Sequence, residues 1–169
     1  MTDHVDAILE QWRTERPDLD TSPMAVIGRL SAAAHLVDVE LRRTFAIHGL
    51  DRAGFDVLAT LRRTGTPYRL SPGALTRTAM VTSGAITQRL DRLEERGLVS
   101  RTAAVADGRG VHVTLTAAGL DLVDKALPDH VANEHRLLAG LSELQRRKLA
   151  DGLRALIASV TAAEPPQDR

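Results

Sequence analysis

The chain has no cysteine among its 169 residues. That removes disulfides, thiolate nucleophiles, cysteine zinc sites and thiol redox sensing together. Aromatic residues are nearly as scarce: Trp12, Phe45, Phe55 and Tyr68 complete the set. The core must be built from Leu, Val, Ile and Ala, which favours helices. No apolar run approaches the ~20 residues of a membrane span. The opening stretch MTDHVDAILEQW carries acids where a secretory signal would carry positive charge. A cytoplasmic protein without a membrane partner is expected. There is no Gly-rich phosphate loop, no Gly-x-Ser-x-Gly elbow and no carboxylate–histidine cluster, so an enzyme is not expected. The histidines (His4, His35, His48, His112, His130, His135) form no His-x-x-x-His pair. No metal or other cofactor is therefore expected.

What is present is an ordinary apolar fraction of 43% and a formal net charge of zero. The length suits one compact domain, or one domain with a helical oligomerisation part. The charge is unevenly placed. Residues 62–109 hold nine arginines against four acids, a local excess of five positive charges that the rest of the chain must offset. A basic middle between acidic ends is a localised electrostatic footprint.

The periodicity predicts helices through most of the chain. Residues 5–16 suit a short helix stopped by Pro17. Residues 24–45 place Ile27, Leu30, Ala34, Val37, Leu41 and Phe45 at helical spacing, up to Gly49. Asp51 can cap a helix with Phe55, Leu58 and Leu61 on its inner face. Ser71 and Pro72 start a short helix. Thr82 can cap the next, in VTSGAITQRLDRLEERGLVSR, with Ile86, Leu90 and Leu93 on its core side. LVSRT and VHVTLT alternate like the two strands of a hairpin, with AAVADGRG at its tip. A helix with Leu120, Val123, Leu127, Val131, Leu138 and Leu141 follows Thr116, and Pro128 should kink or restart it. Ser142 and Gln145 form a capping box for a last helix with Leu149, Leu153, Leu156 and Val160. Residues 164–169 suit a disordered tail.

A short helix, a tight turn, a second helix and a hairpin make a winged helix-turn-helix, whose second helix enters the DNA major groove. With Ile86, Leu90 and Leu93 inward, Gly84, Gln88 and Asp91 point outward, flanked by Thr87 and Arg92. Gly84 permits close backbone approach. Gln88 offers a donor and an acceptor together, suiting adenine. Ser83 and Thr87 can bond bases or phosphates, and Ser71 and Thr82 complete the expected DNA-facing set. Arg109, between two glycines at the hairpin tip, suits a narrow minor groove. Asp107 is expected to stabilise the wing by pairing with Arg109 or Arg89.

The stretch 70–119 resembles the MarR family of bacterial transcriptional regulators, through SGAITQRLDRLEERGLV, the DGRG wing tip and the VTLTAAG exit. The flanking helices match that family's layout over nearly the whole chain. The resemblance implies a mainly α fold with a small β-hairpin wing, and a homodimer reading a pseudo-palindromic double-stranded operator, as a repressor by default. It implies Ser83, Gly84, Thr87 and Gln88 in the major groove and Arg109 in the minor groove. Gln88 departs from the arginine many members carry, which affects the operator sequence rather than the fold. Residues 50–116 form the expected DNA-binding domain, and 1–48 with 117–163 the dimerisation region. The alternative is a winged-helix protein-interaction module without specific DNA binding.

A small anionic aromatic effector is expected in a crevice beside the reading domain, lined by Arg29, His35, Asp56 and Arg63. The set Trp12, Asp56, Arg63 and Arg101 is similar to the pattern of a urate-responsive subgroup. The competing reading has Trp12 packing the N-terminal helix onto the dimer, with Asp56 and Arg63 on solvated faces.

Overall fold

The computed structural model describes residues 2–79, 86–103 and 110–163. It comprises two compact units, residues 1–130 and 131–169.

The first unit opens with α1 (His4–Glu15). The Asp3 carboxylate accepts from the Asp6 N–H while the Asp6 carboxylate accepts from the Asp3 N–H, a reciprocal capping box. The helix ends before Pro17, which disfavours helical geometry in the residue ahead of it. α2 (Ser22–Ile47) carries Pro23 in its first turn, where the missing N–H costs no bond. Val5 and Leu9 are buried. Val5 lies over Gly28, where an added Cβ would stand 3.2 Å from Val5 Cγ1. Gly49, at φ +62°, lets the chain reverse after α2. Asp51 then caps α3 (Arg52–Arg63), accepting from Gly54 N at 2.6 Å.

The helix-turn-helix segment and its sheet follow. β1 (Arg69–Leu70) precedes α4 (Pro72–Thr78), which Ser71 caps by accepting from Ala74 N at 3.2 Å. Then come α5 (Ile86–Glu95), β2 (Val99–Ala103), β3 (Val111–Leu115) and α6 (Ala117–Leu137). The sheet has three antiparallel strands in the order β1-β3-β2, with Arg69 opposite Thr114 and Val99 opposite Leu115. The expected pairing of β2 with β3 is present, and β1 adds a third strand that the sequence did not reveal: it is too short to alternate visibly, and its pairing with β3 is a long-range contact.

Phe45 and Phe55 stack with ring centroids 4.3 Å apart. Leu58, Leu61, Leu75, Leu90, Val113 and Val123 pack in the same core. Thr116 Oγ1 accepts from Gly119 N and donates to Gly97 O, fixing the start of α6 against the end of α5. α6 continues through Pro128 as one helix, so no new helix starts there.

In the second unit, α7 (Glu143–Ala163) follows the Ser142–Gln145 capping box, whose two bonds are 2.8 and 3.3 Å. Leu149, Leu153, Ile157 and Val160 on it are exposed. Among the described residues no helix is long and apolar enough to cross a membrane. The expected tail, 164–169, lies outside the described residues.

Candidate nucleic-acid interface

α5 is amphipathic by spacing. Ile86, Leu90 and Leu93 are buried, which turns Thr87, Gln88, Asp91 and Arg92 outward, all exposed. Gln88 thus presents its amide to solvent one turn from Arg92. Thr82, Ser83, Gly84, Asp107 and Arg109 lie outside the described residues. Ser71 is half-buried at the start of α4, and its hydroxyl already serves the helix cap.

Several arginines of the basic segment have structural partners. Arg62 Nε donates to Asp124 at 2.7 Å and its guanidinium lies 5.2 Å from the Tyr68 ring centroid. That hydrogen bond with Asp124 raises the Arg62 pKa above its ordinary value. Arg69 Nε donates to Thr114 Oγ1 at 3.1 Å. Arg63 donates to the Thr78 carbonyl, tying the end of α4 to α3. Arg101 pairs with Asp91 and Glu94.

Arg89 and Arg92 on α5 and Arg96 just past its end line a cleft of about 360 Å³ with Asp51, Gly54 and Glu95. Arg89 Nη1 is buried and has no hydrogen-bond partner among the described residues. Three guanidiniums against the Asp51 and Glu95 carboxylates leave the cleft with an excess of positive charge, and a guanidinium corner withheld from water there suits an anion. Sequence reasoning placed Arg89 with the wing and missed this cleft. The three-and-four spacing of these arginines was the available signal.

The expected effector residues come from four elements, α1, α2, α3 and β2. Trp12 is 41% exposed on α1. His35 is exposed on α2, and Asp56 is half-buried on α3. Arg29 spans Asp3, at 2.8 Å, and Asp6, at 2.6 Å. Both carboxyls sit below the usual range, first because each accepts the other's backbone N–H and then through Arg29. Arg29, Arg63 and Arg101 each have an intramolecular partner. Among the described residues no group of three or more His, Cys, Asp or Glu is placed to hold a metal ion.

A family model described as "MarR family" matches residues 48–110. The HTH-type transcriptional regulator PecS of Dickeya dadantii (strain 3937) is 42% identical over 156 residues, covering 92% of this chain and 92% of PecS. Sco3205, a MarR family transcriptional regulator from Streptomyces coelicolor solved in complex with DNA, superposes with a TM-score of 0.78. It is 24% identical, over 89% of this chain and 96% of that one. BpsR of Bordetella bronchiseptica, solved to explain regulation of its DNA binding by 6-hydroxynicotinic acid, has a TM-score of 0.70 and 26% identity. That match covers 78% of this chain and 91% of BpsR. With a winged helix-turn-helix in place and PecS matched along almost its whole length, this chain belongs to the MarR family.

Proposed function

We propose that the protein is a cytoplasmic, homodimeric transcriptional regulator. It binds a pseudo-palindromic operator as a repressor and releases it when a small anionic aromatic effector binds. The observation that carries this is the solvent-facing polar side of α5, with Thr87, Gln88 and Arg92 beside the β2–β3 hairpin. The name of PecS and the DNA complex of Sco3205 support it. Ser71, Thr82, Ser83 and Gly84 join these residues on the major-groove side, and Arg109 enters the minor groove, steadied by Asp107.

Residues 50–116 read DNA, and 1–48 with 117–163 form the dimer. Exposed apolar residues on α2 (Val26, Ile27, Val37) and on α7 (Leu149, Leu153, Ile157, Val160) support the second assignment. Faces of this kind are costly to leave in water. A two-fold dimer sets its reading helices about 34–36 Å apart, one turn of DNA.

The 6-hydroxynicotinic acid named for BpsR supports an aromatic acid as effector. The expected set Trp12, Arg29, His35, Asp56, Arg63 and Arg101 is one place for it, and the cleft with Arg89, Arg92 and Arg96 offers further cations for its carboxylate. The effector acts only if it binds the free and DNA-bound shapes unequally.

Fluorescence anisotropy with the DNA flanking the protein's own gene, at two salt concentrations, tests the reading. Tight binding weakened by salt and by Arg109→Ala is expected, because phosphate contacts release counterions. Binding no better than to random DNA, for this and for genome-selected fragments, would favour a protein-interaction module. Urate and other aromatic acids are then titrated. Release of DNA with quenching of Trp12 places the effector near α1; release without quenching places it in the arginine cleft.

A further inference from the structure

α5 carries three exposed acids, and two of them, Asp91 and Glu94, are three residues apart and therefore neighbours on one helix face. Taken alone they are badly placed. Like charges at this spacing repel, and Glu94 lies in the last turn, where the helix dipole disfavours negative charge. A carboxylate on a helix that meets DNA also opposes the phosphates.

Arg101 accounts for both. From β2 its Nη2 donates to Asp91 Oδ1. Its Nε stands 3.4 Å from Glu94 Oε2, an ionic contact rather than an aligned hydrogen bond. Its backbone N–H donates to Glu94 Oε1 at 2.9 Å. Glu94 therefore holds both the main chain and the side chain of one strand residue. Arg101 is the least exposed of the three side chains, at 26% against 50% and 40% for the acids. It sits in the middle of β2, opposite Val113 of β3. Its contacts thus couple the rotation of α5 about its axis to the direction of the hairpin.

We propose that Arg101 is a positioning residue of the DNA reader. It clamps β2 to α5 through Asp91 and Glu94, so that helix and wing meet DNA as one rigid unit. This rests on the DNA-binding reading above and assigns Arg101 a task other than holding the effector. The carboxylates are on the helix to take the clamp.

The decisive variant is Asp91→Asn with Glu94→Gln. It removes two negative charges from the reading helix, so electrostatics alone would tighten binding to all DNA. The clamp predicts that the ratio of affinities for a wild-type-selected genomic fragment and a random duplex of equal length falls about fivefold, the upper end for loss of a partly exposed ion pair. Arg101→Gln gives the same fall, and Arg101→Lys, which keeps the charge but not the fork, recovers part of it. Amide hydrogen exchange on the full chain is the second readout: residues 86–103 exchange faster in the variants, while α1 is unchanged. A double variant with an undiminished ratio and unchanged exchange overturns the proposal. So does Arg101→Gln that keeps the ratio and loses only the response to aromatic acids. If the wild type does not discriminate between the two DNAs, the DNA-binding reading fails, and the exchange result alone decides the clamp.

Discussion

Arg29 on α2 and Asp6 on α1 meet at 2.6 Å across 23 positions of chain, and the same guanidinium reaches Asp3. The pair fastens a short helix whose buried apolar residues are Val5 and Leu9. Folding depresses the pKa of both acids. The capping-box bonds are the larger cause and the Arg29 pairing the smaller, so the stability that both give to α1 is fully present above the unfolded carboxylate pKa and is lost as pH falls through the folded values. Docking of α1 should be complete at neutral pH and weaken below about pH 4. Since these groups are solvated, salt should weaken it as well. Trp12 on α1 reports the change through its emission, and Arg29→Gln should flatten the acid response. An emission profile identical in that variant would mean that the apolar contacts alone hold α1.

Gly119 should tolerate no side chain. An added Cβ would fall 2.0 Å from the Leu98 carbonyl oxygen, a backbone atom that cannot swing aside. Gly119→Ala should cost roughly 3 kcal/mol or more, in the severe tail of single substitutions. Urea unfolding measures it. A loss under about 1 kcal/mol would show that the start of α6 moves freely relative to β2.

Ser71 offers two separable effects. Ser71→Ala removes the α4 cap and should cost about 1 kcal/mol of stability. Ser71→Asp keeps a cap acceptor, so it should fold as the wild type does, yet its charge should weaken DNA binding at low salt. Equal DNA affinity for wild type and Ser71→Asp would remove this residue from the proposed interface.

Gln88 is exposed, so Gln88→Ala should change stability by no more than about 0.5 kcal/mol. If it reads a base, operator binding should weaken by about 1–3 kcal/mol. Binding to random DNA should be unaffected. A parallel fall on both DNAs would identify Gln88 as a backbone contact instead.

Local chemistry was legible in the sequence. The caps at Asp51, Ser71 and Ser142 and the inward faces of α3 and α5 depend on neighbours a few residues apart, and the structure has them as expected. What escaped the sequence depends on distant partners. β1 exists because residues 69–70 meet 113–114. Arg29 and Arg101, expected at the effector site, have carboxylate partners on other elements that the sequence did not reveal. Any exposed arginine can serve either purpose until folding selects its neighbour.

The sequence by itself determined the helical class, the reading helix and the family, because hydrophobic period, capping residues and motif spacing are local properties. Only the tertiary structure decided which charges are spent on the fold. Arg101 faces two acids across a strand–helix contact, while Arg89 has a buried nitrogen in a cleft with no partner among the described residues. An ion pair is a matter of distance in space, and distance in space is set by packing rather than by order along the chain.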